Sequence, residues 1–227
     1  KTAQDLSLVA PHFFEQTGAI LHLNTQAIAI NRLQKTVTTR AGDVLPYDKL
    51  VLATGSYPFV PPLKGRDRPH CFVYRTIEDL QAMKASGEIS ESGAVVGGGL
   101  LGLECAKALR DMGLTTHVVE FAPRLMVAQM DDEGGAMLRR KIEALGVHVH
   151  TQRNTVEIQE GLRARHRMVF FDETHLEVDM IVFSAGIRPR DELARNHHLA
   201  LGARGGIAID NHCRTSDHDI YAIGECA

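Results

Sequence analysis

Three glycines and one carboxylate carry the chemistry most visible in this chain. Gly97, Gly99 and Gly102 stand in a G-x-G-x-x-G spacing within the run AVVGGGLLGLE, from Ala94 to Glu104. That spacing suits a pyrophosphate: the first glycine permits a tight turn, the second lets the backbone approach the phosphates, and the third lets a helix pack close to its strand. The N-terminus of that helix supplies unpaired N–H groups and the positive end of the dipole, which favour an anion. Glu120 stands about 18 residues beyond Gly102, close to where the acid of a dinucleotide site accepts both ribose hydroxyls and repels a 2′-phosphate. It points to NADH over NADPH.

Such a site needs a strand, a helix and a second strand around it. Ala94–Val96 is an apolar run fit for a buried parallel strand, and Leu103, Ala106, Leu109 and Met112 recur at helical spacing up to a left-handed cap at Gly113. Thr115 to Val119 is the β-branched second strand. A helix is expected over Glu133–Leu145, with Asp131, Asp132 and Glu133 favoured at its positive end rather than forming a metal or acid–base site. Val147–His150 follows as a strand. Val156–Ile158 and Met168–Phe171 read as an antiparallel meander, and Asp179–Ser184 re-enters the sheet ahead of Ala185-Gly186. Upstream, a helix over Asp5–Gln16, kinked at Pro11 and ended by Gly18, precedes strands at Ile20–Leu23, Ala27–Asn31, Thr36–Thr39 and Lys49–Ala53. The proline-rich stretch from Ser56 to His70 marks a boundary, and Thr76 with Asp79 forms a capping box for a helix to about Ala85. Ile220–Ile223 is a buried strand with Gly224-Glu225 at its C-terminal end, where ligands of open α/β sheets bind.

Composition excludes several classes. With 227 residues, 44% of them hydrophobic, and a formal net charge of −3, the chain is globular, and nothing suggests a nucleic-acid partner. The basic run Arg163–Arg167 reads as a solvated hairpin end. Cys71, Cys105, Cys213 and Cys226 form no C-x-x-C pair, which argues against a redox disulfide, a zinc site or a secreted framework and fits the cytoplasm. His148 and His150 share a strand face without a carboxylate or cysteine at ligand spacing and read as structural, so no metal site is expected. No run is long and apolar enough to span a membrane. The chain begins with Lys1 rather than Met, as an excised piece would.

An internal repeat links two stretches. Tyr47–Pro58 (YDKLVLATGSYP) aligns without gaps on Val178–Pro189 (VDMIVFSAGIRP), pairing Asp48 with Asp179, Val51 with Val182, Gly55 with Gly186 and Pro58 with Pro189. Each copy follows a β-meander, which suggests two related dinucleotide domains. By the same offset, a first glycine turn would lie about 34 residues before Lys1.

Ala53-Thr54-Gly55, GGGLLGLE from Gly97 to Glu104 and TSDHDIYAIGEC from Thr215 to Cys226 resemble the two-dinucleotide flavoprotein reductases over essentially the whole chain. Their fold is α/β, a Rossmann-like NAD domain with a β-meander inserted into an FAD domain. The stretches YDKLVLATGSYPFVPP, CFVYRTIEDL, VVEFAPRLM and FSAGIRPRDELA are most similar to the large subunits of bacterial NAD(P)H-dependent nitrite reductases. Rubredoxin or ferredoxin reductases and NADH oxidases of the same fold are the alternative, and a binding module without turnover is a third. The resemblance implies an FAD domain over residues 1–66 and 187–227, truncated, and an NAD(P) domain over 67–186. It implies hydride transfer from NADH to FAD, then electrons to an iron–sulfur cluster and a siroheme that lie outside this chain, in downstream domains, with a small subunit as a further partner. It assigns Gly97, Gly99, Leu100, Leu101 and Gly102 to the NAD pyrophosphate, Glu120 to the adenosine ribose and Arg124 to the adenosine flank. Glu104 falls to the nicotinamide–flavin region as the catalytic position, and Gly186 to the nicotinamide approach. The FAD side takes Ala27, Thr54, Gly55 and Glu225; many relatives have Asp at the last position. The piece alone is expected to bind NADH, hold little FAD and turn nothing over.

Overall fold

A computed structural model describes residues 6–10 and 12–227. The chain divides into two compact units, Lys1–Ser56 with Arg188–Ala227, and Tyr57–Ile187.

In the first unit, helix α1 (Phe13–Thr17) ends at Gly18 in the left-handed region, φ +70°. The helix expected from Asp5 is confined to these residues in the described part; Asp5 and Pro11 lie outside it. Ile20–Leu23 is not a strand. Ile20 and Leu23 are 82% and 71% exposed, and without a pairing neighbour their β-propensity stabilises nothing. Strands β1 (Ala27–Asn31), β2 (Thr36–Thr39) and β3 (Val44–Pro46) form an antiparallel meander, and β4 (Leu50–Leu52) leads to β5 (Ser56–Pro58).

The second unit continues through β6 (Cys71–Val73), α2 (Ile77–Gly87), β7 (Ser92–Val96), α3 (Leu100–Asp111), β8 (Thr115–Val119), α4 (Asp132–Ala144) and β9 (Val147–His150). The meander β10 (Thr155–Glu160), β11 (His166–Phe170) and β12 (His175–Val178) precedes β13 (Met180–Phe183). Five strands form a parallel sheet in the order β6-β13-β7-β8-β9. Alternation along the strands supplies two cores. Val95, Val118, Val149 and Val182 meet Met83, Ala106 and Leu109 of the helices, while Ala94, Val119, Ile181 and Phe183 meet Ile158, Met168 and Phe170 of the meander. Burial on both faces explains the continuous apolar run of β13. The capping box at Thr76–Asp79 is formed, and Asp131 caps α4 through the Gly134 amide at 2.8 Å.

Residues 57–66 pack in this unit. Val60 and Leu63 lie against the meander core, and Ile158 N donates to Lys64 O at 2.9 Å. The compact unit thus begins at Tyr57, ahead of the boundary expected at 66/67. The hairpin end at 163–167 differs from expectation as well. Arg163 is exposed, but Arg165 donates to Ile89 O at 2.6 Å and Ser90 Oγ at 2.9 Å, and His166 is only 2% exposed with neither ring nitrogen hydrogen-bonded. Burial pushes its pKa down to about 4. The turn folds back on its own unit, which composition does not reveal.

The chain returns to the first unit through β14 (Ile187–Pro189), paired with β5, then α5 (Glu192–Asn196) and β15 (Ile220–Ala222), which lies parallel to β4. Ile30, Leu52, Ala194, Leu199, Ile220 and Cys226 are among its buried core.

Candidate functional site

Strand β7 delivers the glycine turn to the C-terminal edge of the parallel sheet, where Gly97 N donates to Val119 O at 2.9 Å and Ser184 N to Val96 O at 2.8 Å. Gly97 sits at φ +122°, and a Cβ there would stand 2.2 Å from Ser184 O; a Cβ on Gly102 would stand 2.0 Å from Gly97 O. Packing alone demands both glycines. Gly99 differs: its φ is −83° and a Cβ would meet nothing within 4 Å. It is the N-cap of α3, whose first internal donor is Leu103 to Gly99 O at 3.0 Å, so the amides of Leu100, Leu101 and Gly102 form the leading turn. Open space beside Gly99 lies in front of that turn.

Glu120 reaches back to the same place. Its Oε2 accepts from Gly98 N at 2.5 Å and its Oε1 from Ala122 N at 2.6 Å. Spacing did not single out Gly98, yet a Cβ there would stand 2.6 Å from Leu125 Cδ2 and 3.0 Å from Glu120 Oε2. Its only signal was the run of three glycines. Met126, at φ +50°, donates its N–H to Gly98 O at 3.0 Å, and Leu125 beside it is fully buried. This lacing of the 121–130 loop to the turn had no motif.

Gly97, Gly99, Leu100, Leu101, Gly102 and Glu120 thus come together. Gly186 follows β13 on the same edge, at φ +108° with nothing where a Cβ would be, and its carbonyl accepts from Phe59 N at 2.9 Å. Glu104 is exposed on α3. Arg124 is tied to the start of α4 by Nη1 to Asp132 Oδ1 at 2.7 Å and Nε to Met130 O at 2.9 Å, with its stem against Gly135.

In the first unit, Thr54 and Gly55 follow β4 and Glu225 follows β15, at the C-terminal ends of two parallel neighbours. Thr54 Oγ1 donates to Arg190 O at 2.6 Å, Arg190 N to Gly55 O at 2.8 Å and Ser56 Oγ to Glu225 Oε2 at 2.9 Å. Sequence reasoning missed Ser56. Ala27 opens β1 on the separate three-stranded sheet. Nearby, hydrogen bonds from the Lys35 and Lys49 ammonium groups hold the Asp219 carboxyl down at about 2. Burial pushes the Cys71 and Cys105 thiols up to about 11 and about 12, which disfavours thiolate chemistry. No helix among the described residues is long and apolar enough to cross a membrane.

Residues 2–227 match the family described as pyridine nucleotide-disulphide oxidoreductase. The chain is 58% identical, over its full length, to the nitrite reductase (NADH) large subunit of Escherichia coli (strain K12), of which it covers 27%. It is 54% identical over its full length to the nitrite reductase NAD(P)H large subunit of Klebsiella oxytoca, of which it covers 24%. It therefore spans about a quarter of these relatives. Among solved structures, a ferredoxin reductase from Rhodopseudomonas palustris superposes with a TM-score of 0.92 at 28% identity, over 100% of this chain and 55% of that one. The fold is that of the two-dinucleotide flavoprotein reductases.

Proposed function

The chain belongs to the pyridine nucleotide-disulphide oxidoreductases, and on that premise we propose that it is the NADH- and FAD-handling part of a nitrite reductase large subunit. The observation that carries this reading is the pairing of two features. Gly99 is a glycine with nothing where its Cβ would be, in front of a helix N-terminus, and Glu120 is a carboxylate bonded to the neighbouring amide. Packing explains Gly97 and Gly102 but not Gly99; a pyrophosphate laid against the backbone does.

Residues 67–186 form the NAD(P) domain in this proposal, and 1–66 with 187–227 belong to the FAD domain. The leading amides of α3 bind the pyrophosphate. Glu120 accepts the ribose hydroxyls and sets the preference for NADH, with Arg124 at the adenosine flank. Gly186 leaves room for the nicotinamide, and Glu104 faces the reacting rings. Thr54, Gly55, Glu225 and the Ala27 backbone take the FAD side. When bound, NADH supplies a hydride and FAD accepts it, releasing electrons one at a time. In the longer protein these electrons go to iron–sulfur and siroheme domains that reduce nitrite to ammonia in the cytoplasm, with a small subunit as a partner. The higher identity to nitrite reductases favours this over a ferredoxin or rubredoxin reductase or an NADH oxidase.

NADH titration by calorimetry tests the site. Gly99→Val should weaken NADH by roughly a hundredfold, about 2.8 kcal/mol, with the far-ultraviolet circular dichroism retained. Glu120→Arg should weaken NADH and strengthen NADPH. Unchanged affinities in both folded variants would overturn the assignment.

A further inference from the structure

One cleft of the second unit is lined by cations without counter-charges. It has a volume of about 260 Å³ and lies where the segment before β6 meets the turn between β10 and β11, with Arg68, His70, Glu160, Arg165 and His166 on its wall. His70 O accepts from Ile181 N at 3.0 Å, which places the cleft at the N-terminal edge of the parallel sheet. The glycine turn after β7 lies at the opposite edge.

Among the described residues, five buried side-chain nitrogen or oxygen atoms have no hydrogen-bond partner, and three of them, Arg68 Nε and both ring nitrogens of His166, belong to this wall. Each such orphan costs about 1–3 kcal/mol, so three around one cleft call for an occupant that bonds to them. The Pro69 carbonyl lies beside the His166 ring without meeting hydrogen-bond geometry. His117 and His150 differ: these half-buried rings satisfy each other, Nδ1 to Nε2 at 3.1 Å.

The charges are as unbalanced as the hydrogen bonds. Neither the Arg68 nor the Arg165 side chain pairs with a carboxylate among the described residues. Arg165 uses two of its five donors on Ile89 O and Ser90 Oγ, which fixes the guanidinium and leaves three N–H groups. His70 is anchored through Nδ1 to Ser86 Oγ at 2.8 Å. The acids nearby are taken by the backbone: Glu177 accepts from the amides of Leu162, Arg163 and Ala164, and Asp179 from those of Glu91, Ser92 and Arg165. Glu160, exposed, is the one acid on the wall. Burial and then the charge of Arg68 push the His166 pKa down to about 4, so the imidazole registers a positive field.

We propose that this cleft binds a phosphoryl dianion, free or esterified, between the Arg68 and Arg165 guanidinium groups, with the His166 ring donating a further hydrogen bond. Two uncompensated cations balance a dianion, and guanidinium forks match phosphate oxygens in pairs. The bound charge stabilises the imidazolium, so anion binding and protonation of His166 promote each other.

Calorimetric titration of the chain with inorganic phosphate and with glycerol 3-phosphate, at about pH 7.5 and constant ionic strength, tests the site and separates the free from the esterified source. Saturable binding is expected. Arg68→Gln should weaken it by at least about tenfold. Glu160→Gln, which removes the one acid, should tighten it about threefold, a gain that misfolding would not produce. Sulfate, still a dianion in mild acid, should raise the His166 titration midpoint by about one pH unit, read by NMR of the ring nitrogens. Gly99→Val, at the other sheet edge, should leave phosphate binding unchanged. No saturable binding of either probe would leave the cleft to water, and binding unchanged in Arg68→Gln or abolished in Gly99→Val would put the anion elsewhere; each of these results overturns the proposal.

Discussion

Val51 and Val182 occupy the same position of the internal repeat, yet Val51 is 53% exposed and Val182 is fully buried. Both lie on a strand that ends three residues before a glycine with positive φ in the matching position, Gly55 at +69° and Gly186 at +108°. The exits also match in hydrogen bonding: Arg190 N donates to Gly55 O, and Phe59 N, its repeat equivalent, to Gly186 O. What differs is the surroundings. Strand β13 lies between two parallel neighbours with helices on one face and a meander on the other, whereas β4 pairs with β15 alone among the described residues. The repeat encodes a strand and its exit, and the layers packed on it decide how much each residue contributes.

The most damaging way to probe this difference is a charge at the matched valines. Val182→Asp should lose about 4 kcal/mol or more, because an unpaired carboxylate enters a dry core. Val51→Asp should lose less than about 1 kcal/mol. Urea unfolding measures both, and equal losses would break the comparison.

Within the second unit, Gly97→Ala should cost about 3 kcal/mol, since its Cβ meets the Ser184 carbonyl in a backbone conformation that L-residues avoid. Gly99→Ala, into open space at a helix cap, should cost about 1 kcal/mol or less. Thermal unfolding of the two variants separates packing from ligand-related glycine.

Acid should act on the units in sequence. The folded pKa of His166 lies below its unfolded value, so the unfolded chain takes up the proton first. Stability is full above about pH 6.5 and falls as the pH drops toward 4, by on the order of 3 kcal/mol. Asp219 in the first unit is also depressed, to about 2, and its contribution is lost only as the pH falls from about 4 toward 2. Hydrogen exchange at stepped pH should show the meander around His166 loosening before the Asp219 region, and His166→Leu should flatten the first step.

The smallest difference should be between the two exits. Gly55→Ala and Gly186→Ala each put a side chain at positive φ without a clash and should cost about 1–2 kcal/mol apiece. Only Gly186→Ala should also weaken NADH. Loss of NADH affinity at Gly55 instead would reverse the assignment of the exits.

Much of this was readable from residue order. Thr115–Val119 and Val147–His150 are strands with the expected bounds, and Thr76 and Asp79 cap their helix as spaced, because periodicity and capping are local properties. Pairing between distant segments is not local. Ile20–Leu23 has strand-like residues and no partner, and nothing near His166 in sequence tells of its burial against the segment before β6. The Glu120 carboxylate was placed by its spacing, but its bond to Gly98 depends on how β8 registers with β7. His117 meets His150 through the register of β8 with β9, which no linear pattern displays.

The paired strands β5 and β14 bear on the order in which the chain folds. Leu50–Leu52 must find Ile220–Ala222 across roughly 170 residues, and a search through a flexible loop of that length is entropically slow. Once the Tyr57–Ile187 unit has formed, the pairing of β5 with β14 bypasses it, and the loop that β4 and β15 must close falls to about 36 residues. With the shorter loop, β4 should pair with β15 after the continuous unit has formed rather than before it.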